Sequence, residues 1–145
     1  MRRFALIVPM LAAACTTQQD VASTGRARFP DFPEPLYAAF QSACEGPAQS
    51  YNRPEKGVAE CRELLPPETT AAIIVSYDGT LDKLPELVIR FTTTQPPDGA
   101  GYLVQNDIYL NVPRRNAGEL QGRLPDPRLS QTIDALYRKA GGTPE

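Results

Sequence analysis

The chain's 145 residues leave room for one domain and a short appendage, and a content of 41% hydrophobic and 22% charged residues is that of a globular protein. Its 15 basic and 17 acidic residues are interspersed and the pI is about 5.2, which argues against nucleic acid as a partner, since such binders carry a basic stripe. There is no histidine, so the commonest general base and the commonest zinc ligand are both missing, and neither a metal nor a cofactor is expected.

Arg2 and Arg3 form a positive opening, and "FALIVPMLAAA", residues 4–14, follows as an apolar run. A membrane-spanning helix needs about 20 such residues, and Pro9 weakens a helix here. Charge, then a short apolar run, then small residues is the pattern of a secretory signal peptide over residues 1–14. The junction "LAAAC" resembles the lipobox of bacterial prolipoproteins, with Ala12, Ala13 and Ala14 ahead of Cys15. It departs from the family in one place: Leu11 stands one position earlier than the usual leucine. The resemblance implies that Cys15 takes diacylglycerol on its sulfur, becomes the new N-terminus and is then N-acylated by a palmitate-class chain. Thr16, rather than Asp, follows the cysteine, and in Gram-negative members this implies the outer membrane, facing the periplasm. The same alanines also satisfy the A-x-A site of an ordinary secretory cut, which would release a soluble protein beginning with a bare cysteine. Cysteine arithmetic favours lipidation, because it accounts for Cys15 and leaves Cys44 and Cys61 to pair. One acyl chain binds a bilayer only marginally, whereas two or three make the anchor effectively permanent.

Residues 15–28 then read as the lipidated N-terminus and a flexible tether, too poor in apolar residues to offset the entropy of ordering. A single domain is expected over 29–145, clipped to the tether through Phe29 and Phe32. A first helix begins near Pro35, which suits a first-turn position; Leu36, Phe40 and Ala43 share one face, and Gly46-Pro47 ends it. A second helix is expected over 54–64, with Val58, Cys61 and Leu65 on one face and Glu60 and Glu63 on the solvated one. Pro66-Pro67 would stop it. Cys44 and Cys61 then lie on two short helices in an exported protein, where a structural disulfide is the natural state. They lack the C-x-x-C spacing of a redox pair.

The β-branched run "AAIIVSY" predicts a strand over 72–77, ended by the turn pair Asp78-Gly79. "ELVIRFTTT" predicts another, with Leu87, Ile89 and Phe91 on one face and Val88, Arg90 and Thr92 on the other. In "GYLVQNDIYLNVP" the residues Tyr102, Val104, Ile108, Leu110 and Val112 keep even-numbered alternation through Asn106-Asp107. A turn there would break that register, so one long strand is expected, with Asn106 on its apolar face. Asp126 then caps a last helix with Pro127 at its first position; Leu129, Ile133, Leu136, Tyr137 and Ala140 form its buried stripe. The expected class is α+β, a small three-stranded antiparallel sheet with helices on one face, in the order α-α-β-β-β-α.

No catalytic or nucleotide-binding motif is present, and a serine nucleophile would have no histidine as its base. Asp78, Asp82, Asp98 and Asp107 fall in or near turns, where Asp is common for conformational reasons. Arg114 and Arg115, beyond the long strand, could bind an anionic lipid headgroup or a partner's carboxylate, and Tyr102 and Tyr109 could extend that interaction surface. The function expected is that of a membrane-anchored envelope lipoprotein, held in the bilayer by acylated Cys15. Its domain would be non-catalytic and would bind an envelope protein or stabilise an assembly. A binder of small ligands, needing an apolar cavity, and a carboxylate-dependent hydrolase, needing two converging carboxyl groups, are the alternatives.

Overall fold

The computed structural model describes residues 25–145; the expected signal peptide, the lipobox-like junction with Cys15 and most of the expected tether lie outside the described residues. The ten elements run β1 (Arg26–Phe29), α1 (Glu34–Ala43), β2 (Gln49–Glu55), β3 (Val58–Leu64), α2 (Pro67–Tyr77), β4 (Glu86–Thr94), β5 (Tyr102–Val112), β6 (Leu120–Arg123), α3 (Pro127–Lys139) and β7 (Thr143–Pro144). The strands form a seven-stranded antiparallel sheet of order β2-β3-β4-β5-β1-β7, with β6 also paired to β5. This overturns the expectation of a three-stranded sheet in the order α-α-β-β-β-α.

Two segments exchange their expected types. Residues 54–64 form most of a hairpin rather than a helix. Gly57, at φ 91°, makes the tight turn between Glu55 and Val58, a conformation that favours glycine. Pro54 falls where the β2 register shifts, on the edge of the sheet, one of the few strand positions proline tolerates. The spacing of Val58, Cys61 and Leu65 is helical by coincidence. The operative period is two, with Ala59 and Cys61 turned to the core.

The apolar run within 72–77 belongs to helix α2. Pro66 is extended, Pro67 occupies the first turn, and Asp78 closes the helix in the left-handed conformation at φ 54°. The Pro66-Pro67 pair therefore starts a helix, and Asp78-Gly79 ends one rather than turning a hairpin. β-Branched residues lower helix propensity only slightly, so these end signals prevail.

Other expectations hold in detail. β5 is one continuous strand, and Asn106 on its core side accepts a hydrogen bond from the Tyr137 hydroxyl at 3.0 Å. Asp126 caps α3 by accepting from the backbone N–H groups of Arg128 and Leu129. Helices α1 and α3 pack on one face of the sheet, where Phe40 meets Phe91 edge-on at 4.5 Å and Phe91 meets Tyr137 at 5.6 Å. The disulfide Cys44–Cys61 joins the end of α1 to the middle of β3. Residues 26–28 are expected to end a tether. They form β1 instead, which buries Ala27 and Phe29 and pairs with β5 and β7, while Arg28 forms an ion pair with Glu145.

Candidate functional sites

α1 and α3 do not cover the helical face completely. Between them lies a half-open apolar groove of about 200 Å³. Phe40 and Ala43 form one wall, Leu129, Ile133 and Leu136 the other, and Cys61, Leu87 and Ile89 the floor. The spacing that makes α3 amphipathic supplies that second wall, and the disulfide borders the floor through Cys61. Polar groups gather near Glu63, whose carboxylate accepts a hydrogen bond from the Gln49 side chain at 2.9 Å. An apolar concavity with a few placed polar groups is the usual form of a small-ligand site.

The opposite face of the sheet carries charge. Glu60, 4% exposed, accepts from Arg62 at 3.0 and 3.1 Å and from Arg90 at 2.6 Å. Arg62 also reaches Glu86 at 3.1 Å. Burial alone would lower the Arg62 pKa, but its hydrogen bonds to Glu86 and Glu60 outweigh that and hold it above its ordinary value. Arg90 lies over the ring of Tyr109, 5.5 Å from its centroid, and Asp107 pairs with Arg123 at 3.4 Å. Burial pushes the Tyr109 phenol up, with Arg90 opposing it. The Tyr109 hydroxyl and Asn111 Oδ1 are buried without a hydrogen-bond partner among the described residues. Each carboxylate of this face that closes a bridge does so to an arginine, an arrangement that rivets β3, β4, β5 and β6 together.

The four residues expected to share an interaction surface are not brought together. Tyr102, on the helical face, packs edge-on against Phe32 at 5.4 Å, whereas Tyr109 lies on the charged face under Arg90. Arg114 and Arg115 lie past the far end of β5, where Arg114 bridges to Gly79 and the Arg115 N–H donates to the Asp78 carbonyl. Asp78 and Asp82 do occupy turns, as expected; Asp107, on β5, does not. Glu60 and Glu63, expected on a solvated helix face, instead sit in a buried ion cluster and near the groove's polar end. The alternation within "VAECREL" was the signal that could have found them. Among the described residues no group of three or more Cys, Asp or Glu side chains is disposed to hold a metal ion. No family model, curated protein or solved structure matches the chain.

Proposed function

We propose that this chain is a lipid-anchored protein of a bacterial envelope whose domain is a non-catalytic binding module. Its ligand is a small amphiphile that places an apolar tail in the groove between α1 and α3. The groove itself is the observation that carries this reading. Its walls and floor are almost wholly aliphatic and aromatic, and a carboxylate stands at its polar end. Glu63 would repel a second carboxylate, which selects a ligand with a neutral or cationic head. The Cys44–Cys61 bond suits an oxidising compartment, in keeping with a signal peptide and acylated Cys15. Glu60, Glu86 and Asp107 are each engaged by an arginine, which favours a structural role for that face of the sheet.

The test is titration with N-phenyl-1-naphthylamine, a neutral apolar fluorophore. Saturable fluorescence enhancement is expected, weakened at least about tenfold by Ala43→Phe, which fills the groove from α1. Thermal stability should be unaltered, because Ala43 is exposed. Fluorescence enhancement that is absent, or indifferent to Ala43→Phe, would remove the groove as the binding site.

A further inference from the structure

We infer that the end of the sheet formed by α2, the 78–85 connection and the 113–115 segment is a membrane-contacting surface that lies on the bilayer holding the lipid anchor. Five of the six large apolar side chains exposed among the described residues cluster at this end. Val75 is 85% exposed and Leu81 76%, with Tyr77, Leu84 and Leu64 also open. The elements that carry them meet at this end. Leu64 ends β3 opposite Glu86 at the start of β4, Leu64 and Leu84 border one surface hollow, and Tyr77 ends α2 beside the Gly79–Arg114 bridge. Helix α2 is apolar, yet Thr70 is its sole buried residue, so the core does not absorb it. Large clustered apolar exposure marks an interaction surface.

The chain outside the described residues points to which one. β1 runs antiparallel to β5, with Phe29 opposite Tyr102 and Arg26 opposite Gln105, and the Gly25 carbonyl accepts from the Asn106 N–H. Followed toward the N-terminus, β1 heads toward the Val112 end of β5, where the α2 end lies, and β6 takes over the same edge of β5 from Tyr109 onward. About 20 Å of strand remains from Asn106 to Val112, and the chain from Gly25 to Cys15 can extend at most about 35 Å. The reach of an acylated Cys15 thus allows the bilayer to lie on the apolar patch, at the end toward which β1 runs. Lys83, Arg114 and Arg115 flank the patch and can meet lipid phosphates; Asp78, Asp82 and Glu119 lie among them, so insertion of the aliphatic side chains carries the contact rather than net charge. The inference rests on the lipid-anchor reading of the proposed function.

The chain has no tryptophan, so a single introduced one reports its own surroundings. The full-length lipoprotein would be reconstituted as Leu81→Trp, or as Ala100→Trp in the β4–β5 connection at the opposite end. The vesicles would be phosphatidylethanolamine with a minority of phosphatidylglycerol, carrying brominated acyl chains. Leu81→Trp should show a blue-shifted emission quenched at least about twofold, and Ala100→Trp neither effect. Protein that fails to float with the vesicles overturns both anchor and patch. Protein that floats while both tryptophans escape quenching equally overturns the patch alone.

Discussion

Removing the disulfide should cost the domain a calculable share of its stability. Cys44 and Cys61 are 17 residues apart and both are buried, so the bond closes a loop containing β2 and the turn into β3. In the chain-entropy account, a loop of this length constrains the unfolded chain by about 3 kcal/mol. The paired substitution Cys44→Ala/Cys61→Ala is preferable to serines, which would bury two hydroxyls in an apolar neighbourhood. It also discards two packed sulfurs, so the entropic figure is a floor. For a domain of about 120 residues the unfolding entropy is near 0.25 kcal/mol/K, and the expected fall in Tm is about 12 °C. Circular dichroism melts of the oxidised protein and the double variant measure the shift. Urea titrations should show a larger slope for the variant, because its unfolded chain is no longer cross-linked. A fall below about 4 °C would rule out the loop-closure account, since the unfolded chain would then have to keep residues 44 and 61 together without the bond.

Replacing Glu60 by Ala should destabilise by about 2 kcal/mol, below the 3–5 kcal/mol of a fully buried pair, because Arg62 and Arg90 remain partly open to water and can be solvated; Glu60→Gln, which keeps an acceptor, should cost less. Urea unfolding of the two variants checks this, and equal losses would show that charge and hydrogen bonding play no separable part. The phenols of Tyr37, Tyr51, Tyr109 and Tyr137 are all raised above their ordinary value, in each case chiefly by burial. A pKa raised in the folded state contributes stability that is complete below the unfolded value near 10 and is lost as pH climbs beyond it. Unfolding free energy should therefore decline above about pH 10, with most phenolate absorbance appearing only as the fold is lost; all six tyrosines ionising together near pH 10 in a still-folded protein would contradict it.

The legible parts of the fold are those whose signals are local and whose period is sustained. β5 spans eleven residues, long enough for alternation to decide against the Asn106-Asp107 turn. The partner that makes Asn106 welcome on the apolar face, Tyr137, lies 31 residues away. α1 and α3 carry proline at their starts and an apolar stripe, and α3 adds the Asp126 cap. The strands β1, β6 and β7 were illegible because each is short and its pairing comes from another segment of the chain. β1 finds β5 more than 70 residues later, and nothing within "GRARF" announces it. Residues 54–64 and 67–77 failed for opposite reasons. The first carries a chance helical spacing over a real alternation; the second carries β-branched residues inside helix boundaries set by prolines and a left-handed Asp78. The groove could not be read at all, since α1, β2, β3, β4 and α3 each supply part of its lining.

The two surfaces argued above, the groove and the apolar end, adjoin. Glu63 and Leu87 border the groove and stand opposite each other in the β3–β4 ladder. One step further along that ladder is the Leu64–Glu86 pair, where the exposed patch begins. Side chains alternate along a strand, so Leu64 projects from the face opposite Glu63, and the groove's polar end and the patch meet at the same end of the sheet from its two faces. If that end of the sheet rests on the membrane, an amphiphile leaving the bilayer meets Gln49 and Glu63 before any other polar groups of the groove, and its tail need cross little water to reach Ile89 and Phe40. Exposed hydrocarbon costs about 0.8 kcal/mol per methylene, so a short crossing matters more the longer the tail. The same geometry gives the disulfide a second consequence. Cys61 belongs to the strand that forms both the groove floor and, at Leu64, the edge of the patch. Releasing it from Cys44 loosens α1, the wall that carries Phe40 and Ala43, against that strand. Fluorophore affinity should then fall in Cys44→Ala/Cys61→Ala well below its melting range, whereas quenching of Leu81→Trp by brominated lipid should persist, because α2 packs against β5.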